Sequence, residues 1–167
     1  MSINGLIDTL MIRKGLLSSL QSCSITTHIS IDSEWLAACG EAYFVWLERL
    51  PGIGVARGLN GERAIQAVGL HLPLLRFAAP YVAESLGGRE LRYPIGGGLM
   101  TGVAGGWLAF GCRMEANELR LWVEVRGYHP RLGTGWFYQS TQARCHRWIT
   151  LAFLRTWATH TSLHTNQ

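Results

Sequence analysis

The chain has 167 residues, of which 48% are hydrophobic and 16% charged, so it is long enough for one domain with one core and too apolar to be disordered throughout. Its fifteen basic residues, fourteen arginines and Lys14, give a net charge of +4 but are scattered without a run. A nucleic-acid surface concentrates its charge in a patch, so a nucleic-acid partner is not expected. The four cysteines are far apart and have no metal-ligand spacing, which predicts a cytoplasmic protein without a metal or other cofactor.

Residues 1–23 form an N-terminal extension that is treated separately from the domain. Six apolar residues follow helical spacing and predict an amphipathic helix: Ile3, Leu6, Ile7, Leu10, Leu17 and Leu20. A secretory signal carries its positive charge before the apolar stretch, whereas Arg13 and Lys14 lie in the middle of this segment. A lid, an interface helix and a loose extension all fit, and the segment could contact a membrane surface peripherally.

The domain itself is predicted to begin with a strand and a helix. Residues 24–32 alternate and are rich in β-branched side chains, which is typical of a strand. Ser33 can cap the following helix, and Pro51-Gly52 ends it near Leu50.

Three hairpins are predicted next. Asn60-Gly61 is a favoured turn pair between strands at 53–59 and 62–72, so Gly52, Gly54 and Gly58 are not a dinucleotide-binding motif, which must lie between a strand and a helix. Residues 69–80, with two prolines, do not fit a regular strand. The turn at Gly87-Gly88 then pairs Glu84 with Leu91 and Val82 with Tyr93, and this register turns Glu84 toward the interior.

The third hairpin has the clearest register. A turn at Ala116-Asn117 gives one apolar face to the pair and leaves the other face to water, including Trp122, Glu124 and Arg126. The predicted inward pairs are Met114 with Leu119, Cys112 with Leu121, Phe110 with Val123, and Leu108 with Val125.

A glycine-rich stretch, Gly96 to Gly106, connects the second hairpin to the third. It joins a strand to a strand, with no helix N-terminus behind it and no P-loop lysine. We therefore interpret it as a mobile loop that binds no phosphate.

The chain ends in a long predicted helix from Trp136 to His160, followed by a tail at 161–167. Its predicted inward face begins with polar groups and continues with apolar ones, while Arg144, Arg147 and Arg155 lie opposite. That inward face comprises Tyr138, Thr141, Gln142, Cys145, Trp148, Ile149, Ala152, Phe153 and Thr156.

This order of elements resembles the helix-grip fold of the START/Bet v 1-like (SRPBCC) superfamily, which includes polyketide cyclase/dehydrase and lipid-transport proteins. The phrases that carry the likeness are "SEWLAACGEAYFVWLERLPGI", "GLNGERA", "ESLGGRELRYPI" and "ANELRLWVEVRGYHPRLG". The resemblance implies an α+β domain over residues 24–160, in which a curved seven-stranded antiparallel sheet wraps around the C-terminal helix. It also implies a largely apolar cavity between sheet and helix.

The expected partner is therefore a small hydrophobic molecule, and the oligomeric state stays open. One hypothesis is a cyclase/dehydratase-type enzyme for polyketide-like or terpenoid-like substrates. Its proposed catalytic groups, which would move protons, are Tyr93, Tyr138, Gln142, Glu84 and His129. Glu84 is included because burial raises the pKa of a carboxyl into a range suited to acid–base chemistry. The second hypothesis is a carrier or sensor of a lipid or quinone, in which polar groups only orient the ligand. The third is a filled interior with function at the surface.

The predicted ligand-binding residues are Leu108, Phe110, Cys112, Leu121, Val123, Cys145 and Ile149.

Overall fold

The computed structural model describes residues 4–26, 32–69, 72–85, 88–116, 118–132 and 142–163. Nine strands and two helices lie in this part of the chain. They are β1 (Asn4–Arg13), β2 (Leu16–Thr26), α1 (Ser33–Leu47), β3 (Ile53–Arg57), β4 (Arg63–Ala67), β5 (Pro73–Phe77), β6 (Tyr81–Ser85), β7 (Gly88–Gly97), β8 (Trp107–Glu115), β9 (Glu118–Tyr128) and α2 (Gln142–Leu163).

All strands join one antiparallel sheet in the order β1-β2-β9-β8-β7-β5-β4-β3, and β6 pairs with β7 beside this path. The predicted α+β class with a large antiparallel sheet is confirmed. The sheet has nine strands instead of seven, because β1 and β5 were not predicted. Both helices pack on the sheet: α1 lies on β3, β7 and β8, and α2 lies on β2 and β9.

The N-terminal segment is a β-hairpin, so the predicted amphipathic helix is wrong. Lys14 and Gly15 form its turn with φ of 51° and 77°, and β2 then pairs with β9. Alternate residues of β2 are buried, from Leu17 to Ile25, which is the period of a strand. The strand predicted at 24–32 is the end of β2, and residues 27–31 lie outside the described residues.

Helix α1 confirms the prediction made from its capping pattern, with a shift of one residue at the start. The Asp32 carboxylate accepts a hydrogen bond of 2.8 Å from the Trp35 backbone N–H, so Asp32 is the N-cap in place of Ser33. The helix buries Leu36, Cys39, Tyr43, Phe44 and Leu47 against the sheet.

The sheet forks along β7. The first half of β7 pairs with β6, from Ser85 with Gly88 to Tyr81 with Arg92, whereas its end pairs with β5 at Phe77 and Ile95. The register predicted for the β6–β7 hairpin is wrong by two residues, since Val82 pairs with Leu91 and Glu84 with Arg89. A shift of two keeps the predicted face, but β6 lies off the main path of the sheet, and both Val82 and Glu84 on that face are exposed.

The hairpin of β8 and β9 has every cross-strand pair that its alternation predicts, from Leu108 with Val125 to Met114 with Leu119. The opposite face of this hairpin is less exposed to solvent than predicted. Trp122 and Glu124 are each 8% exposed, because the Trp122 indole lies directly against Gly111 and Arg126 binds the Glu124 carboxylate.

Helix α2 is rotated about its axis relative to the predicted orientation, although Phe153 and Ile149 stay on the inward side as predicted. Phe153, Leu154 and Ala158 are buried, whereas Trp148 is 63% exposed. Arg144, Arg147 and Arg155 are exposed as predicted. The arginines alone left two orientations of the helix open, and the observed one brings His146 inward.

Candidate ligand site

The interior between helices and sheet has a filled region under α1. Phe44 packs edge-on against Tyr93 with ring centroids 5.1 Å apart, and Tyr43 lies 5.1 Å from both Phe110 and Phe153. Interlocked rings of this kind leave no room for a ligand. Burial raises the pKa of the Tyr93 phenol to about 12, which keeps it neutral.

Beside this aromatic cluster lies a cavity of about 370 Å³, within the range of about 300–1,000 Å³ typical of small-molecule sites. Its wall comes from β2, α1, β3, β4, β5, β7, β8, β9 and the start of α2, together with Met100 of the glycine-rich loop. The described lining residues are Leu17, Tyr43, Leu47, Ile53, Ile65, Leu74, Leu75, Phe77, Ile95, Met100, Leu108, Val125, Tyr128, Cys145, His146 and Ile149.

The wall is apolar for a local reason. Strands β3, β4 and β5 are short, and their half-buried side chains Ile53, Ile65, Leu74 and Leu75 belong to the smaller limb of the forked sheet. These four side chains are aliphatic, whereas the cluster under α1 is aromatic. No Asp, Glu, Lys or Arg is among the described lining residues.

Three aromatic side chains give the wall polar atoms. The Tyr128 hydroxyl donates a hydrogen bond of 2.5 Å to the Met100 carbonyl, which fixes the loop against the end of β9. Burial raises the pKa of Tyr128 to about 12. Burial also raises the pKa of the Tyr43 phenol, and the neighbouring Thr150 hydroxyl partly offsets this. Both phenols are therefore neutral hydrogen-bonding groups.

The third polar residue is His146 on α2. Its Nε2 atom is buried and has no hydrogen-bond partner among the described residues. Burial lowers the pKa of the imidazole to about 4, although Asp8 of β1 opposes this shift. The ring is therefore neutral near pH 7, with one nitrogen that donates and one that accepts.

A polar network ties α2 to the N-terminal hairpin. Arg147 forms an ion pair of 2.6 Å with Asp8, and Asp8 accepts a hydrogen bond of 2.8 Å from the buried Gln21 amide. Gln21 also donates to the Ser19 hydroxyl at 2.7 Å. The hairpin thus helps to place the start of α2, and His146 with it, over the sheet.

The structure brings part of the predicted ligand-binding set into the cavity. Leu108, Cys145 and Ile149 line it. Phe110, Cys112, Leu121 and Val123 face the same interior but are packed in the core, because α1 and α2 cover that part of the sheet.

The predicted catalytic residues are not brought together. Tyr93 lies in the aromatic cluster, and the Glu84 side chain is 72% exposed and paired with Arg89 at 2.9 Å, so its prediction as a buried carboxyl is wrong. His129 is in the loop after β9, where its carbonyl accepts a hydrogen bond of 2.9 Å from Gly102, and it is absent from the cavity wall. Tyr138 lies outside the described residues, and Gln142 begins α2 with no side chain described.

Sequence reasoning missed His146, Tyr43 and Tyr128 as site residues. His146 is not in the predicted inward face of the C-terminal helix, because that face was chosen opposite Arg144, Arg147 and Arg155. A signal was nevertheless available: His146 is four residues before Thr150 and seven before Phe153, which puts all three on one helical face.

Other kinds of site are not found in the described part of the chain. It contains no cluster of three His, Cys, Asp or Glu residues that could hold a metal ion. Its helices are too short or too polar to cross a membrane. The cysteines are unpaired, and Cys23, Cys39 and Cys112 are buried.

Comparison of the chain with protein-family models, with curated proteins and with solved structures finds no match.

Proposed function

We propose that the protein binds one small, neutral, hydrophobic molecule in the cavity between the sheet and α2 and acts as a carrier or sensor of it. The observation that carries the proposal is the largely apolar cavity of about 370 Å³ beside a packed aromatic cluster. A core that needed only stability would fill such a space, because an unfilled apolar void costs packing energy.

The element order and strand pairing support the helix-grip resemblance as part of this proposal. The strand before α1 pairs with the last strand, and the C-terminal helix packs across both. We propose that the chain is a START/Bet v 1-like protein whose sheet and C-terminal helix enclose the ligand. A cytoplasmic location belongs to the same proposal.

The enzymatic alternative, a cyclase/dehydratase, has less support in the geometry. Tyr93, Glu84 and His129 are all outside the described cavity wall, and that wall contains no carboxylate. Apolar walls with a few orienting polar groups are typical of binding sites. The residues of the described cavity wall therefore fit a carrier or sensor better than an enzyme.

The test is a fluorescence titration of the full chain with N-phenylnaphthylamine, a neutral dye that brightens in apolar surroundings. One saturable site is expected. Leu74→Phe and Ile149→Phe should fill the cavity from opposite walls and weaken binding about tenfold or more, equivalent to about 1.4 kcal/mol. Trp148→Phe, on the exposed side of the same helix, is the matched control and should bind as the parent does.

Absence of saturable binding to the folded chain would refute the proposed function. Unchanged affinity in both cavity-filling variants, with folding confirmed by circular dichroism, would place the dye elsewhere and refute it equally. Native mass spectrometry of protein from its own source would identify the class of any retained molecule.

A further inference from the structure

We infer that His146 is the polar anchor of the cavity and that the ligand is an apolar molecule with an uncharged hydroxyl group, an alcohol or a phenol. This inference rests on the proposed function, since it assigns the chemistry of the ligand that occupies the cavity. The geometric observation is a buried Nε2 atom without a hydrogen-bond partner among the described residues, on a side chain that lines an apolar cavity.

An unpaired polar atom of this kind has a cost. Buried polar groups in folded proteins are nearly always hydrogen-bonded, and one left unpaired costs about 1–3 kcal/mol. The cavity wall is mainly aliphatic, and no described residue pairs with the Nε2 atom of His146. A group on the ligand would supply the missing bond.

The charges around His146 determine which kind of ligand group can pair with it. Asp8 of β1 is held by Arg147 and Gln21, while Tyr43 of α1 and Tyr128 of β9 are neutral phenols. The wall contains no described cation, so an ionised carboxylate or phosphate headgroup would be buried without a counter-charge, which is strongly unfavourable. The ligand group at His146 is therefore uncharged.

The imidazole then favours a hydroxyl over a carbonyl. A neutral imidazole presents either a donor or an acceptor at Nε2, depending on its tautomer. A carbonyl satisfies only the donor form, whereas a hydroxyl satisfies either form. A hydroxyl, unlike a carbonyl, can thus pair with either tautomer of His146.

The experiment is a double-mutant cycle that uses naphthol and naphthalene, two probes of nearly equal shape that differ by one hydroxyl. Both compete with N-phenylnaphthylamine on the parent chain and on His146→Phe, which keeps the ring but removes its nitrogens. In the parent, naphthol should bind more tightly than naphthalene by about threefold to tenfold. In His146→Phe this preference should disappear while naphthalene still binds. Naphthoate should bind the parent more weakly than naphthol.

Three results would overturn the inference. An equal preference for naphthol in the parent and in His146→Phe would assign the anchor to another residue. Tighter binding of naphthoate than of naphthol to the parent would refute the uncharged ligand. In either case, continued binding of naphthalene and the dye would show that the proposed function survives. Failure of all probes to bind the folded parent would refute the proposed function and the anchor together.

A second measurement covers the case in which His146→Phe does not fold. NMR of the parent chain, with its histidine nitrogens labelled, should show the Nε2 resonance of His146 shift on addition of naphthol and stay nearly constant with naphthalene. Equal shifts with both probes, or none with either at saturation, would overturn the hydroxyl contact.

Discussion

The apolar face of the sheet borders two different regions of the interior, a packed core and a cavity. Under α1 the space is filled by rings, with Phe44, Phe110 and Phe153 each at most 1% exposed. At the forked end, aliphatic side chains of β3, β4 and β5 surround an unfilled cavity. Both regions are lined mainly by apolar side chains, so hydrophobicity alone does not distinguish the core from the cavity. The filled region is built from interlocked rings, whereas the wall of the cavity is mainly aliphatic.

The largest expected effect tests this contrast by truncation in each region. Phe153→Ala removes a fully buried ring that packs against Tyr43 and Phe110, and should cost about 3–5 kcal/mol of unfolding free energy. Ile149→Ala, one turn earlier, removes atoms that already face a void and have fewer contacts to lose, so it should cost about 1 kcal/mol. Urea unfolding of both variants measures the difference. Equal costs would mean that the cavity is filled in solution.

The next largest effect concerns how the free energy of unfolding depends on pH, which reports on the buried His146 at the cavity wall. His146 has a pKa of about 4 in the folded chain, against 6.5 ordinarily. Between these values the unfolded chain binds a proton that the folded one does not, so stability is full above pH 6.5 and falls as the pH drops toward 4. The loss should reach up to about 3 kcal/mol.

The control for this prediction is His146→Phe, in which the loss between pH 6.5 and 4 should be reduced by that amount. Carboxylates paired with arginines, such as Glu41 and Glu48, have lowered pKa values and lose their stabilising effect at still lower pH in both proteins. Parallel stability curves for parent and variant would show that the imidazole is not buried as a neutral ring.

The smallest expected effect concerns the outer face of the sheet. The Glu124 carboxylate accepts hydrogen bonds of 2.8 and 2.6 Å from Arg126, and the Arg126 side chain is 43% exposed. Changing both residues to glutamine should cost about 1 kcal/mol or less and leave dye affinity within about twofold of the parent. A dye-binding defect in the folded double variant would mean that the ligand lies on the outer face.

Much of this architecture could be predicted from local patterns. The alternation of apolar residues over β8 and β9 gave every inward pair, because one register brings Leu108, Phe110, Cys112 and Met114 opposite the apolar residues of β9. The cap and apolar spacing of α1 gave its start to within one residue. Elements that depend on distant partners were harder. Strand β5 begins at Pro73 and pairs with β7 at two positions, and β1 places apolar side chains on an exposed edge where helical and strand spacings look alike.

The site was predicted less well for a related reason. Which way α2 turns depends on how it meets the sheet, and a one-residue rotation exchanged Trp148 for His146 on the inward side. The register of β6 depends on how the chain connects Ser85 to Gly88, and residues 86 and 87 lie outside the described part of the chain. Whether an inward residue such as Phe110 or Leu108 contacts packed rings or empty space depends on the fork of the sheet, which no single segment encodes.

The fork has a consequence for local unfolding. Strand β5 pairs with β7 at Arg76 with Gly97 and Phe77 with Ile95, and backbone hydrogen bonds join residues 73, 74 and 78 to residues 99, 100 and 94. Strands β8 and β9, by contrast, pair at nine positions along their whole length. Elements with few ladder hydrogen bonds open at lower free-energy cost. Amide hydrogens of β3 and β4 should therefore exchange with deuterium before those of β8 and β9, and a molecule in the cavity should slow them. Faster exchange in β3 and β4 that a bound molecule slows would identify this limb as the part of the wall that opens to admit it.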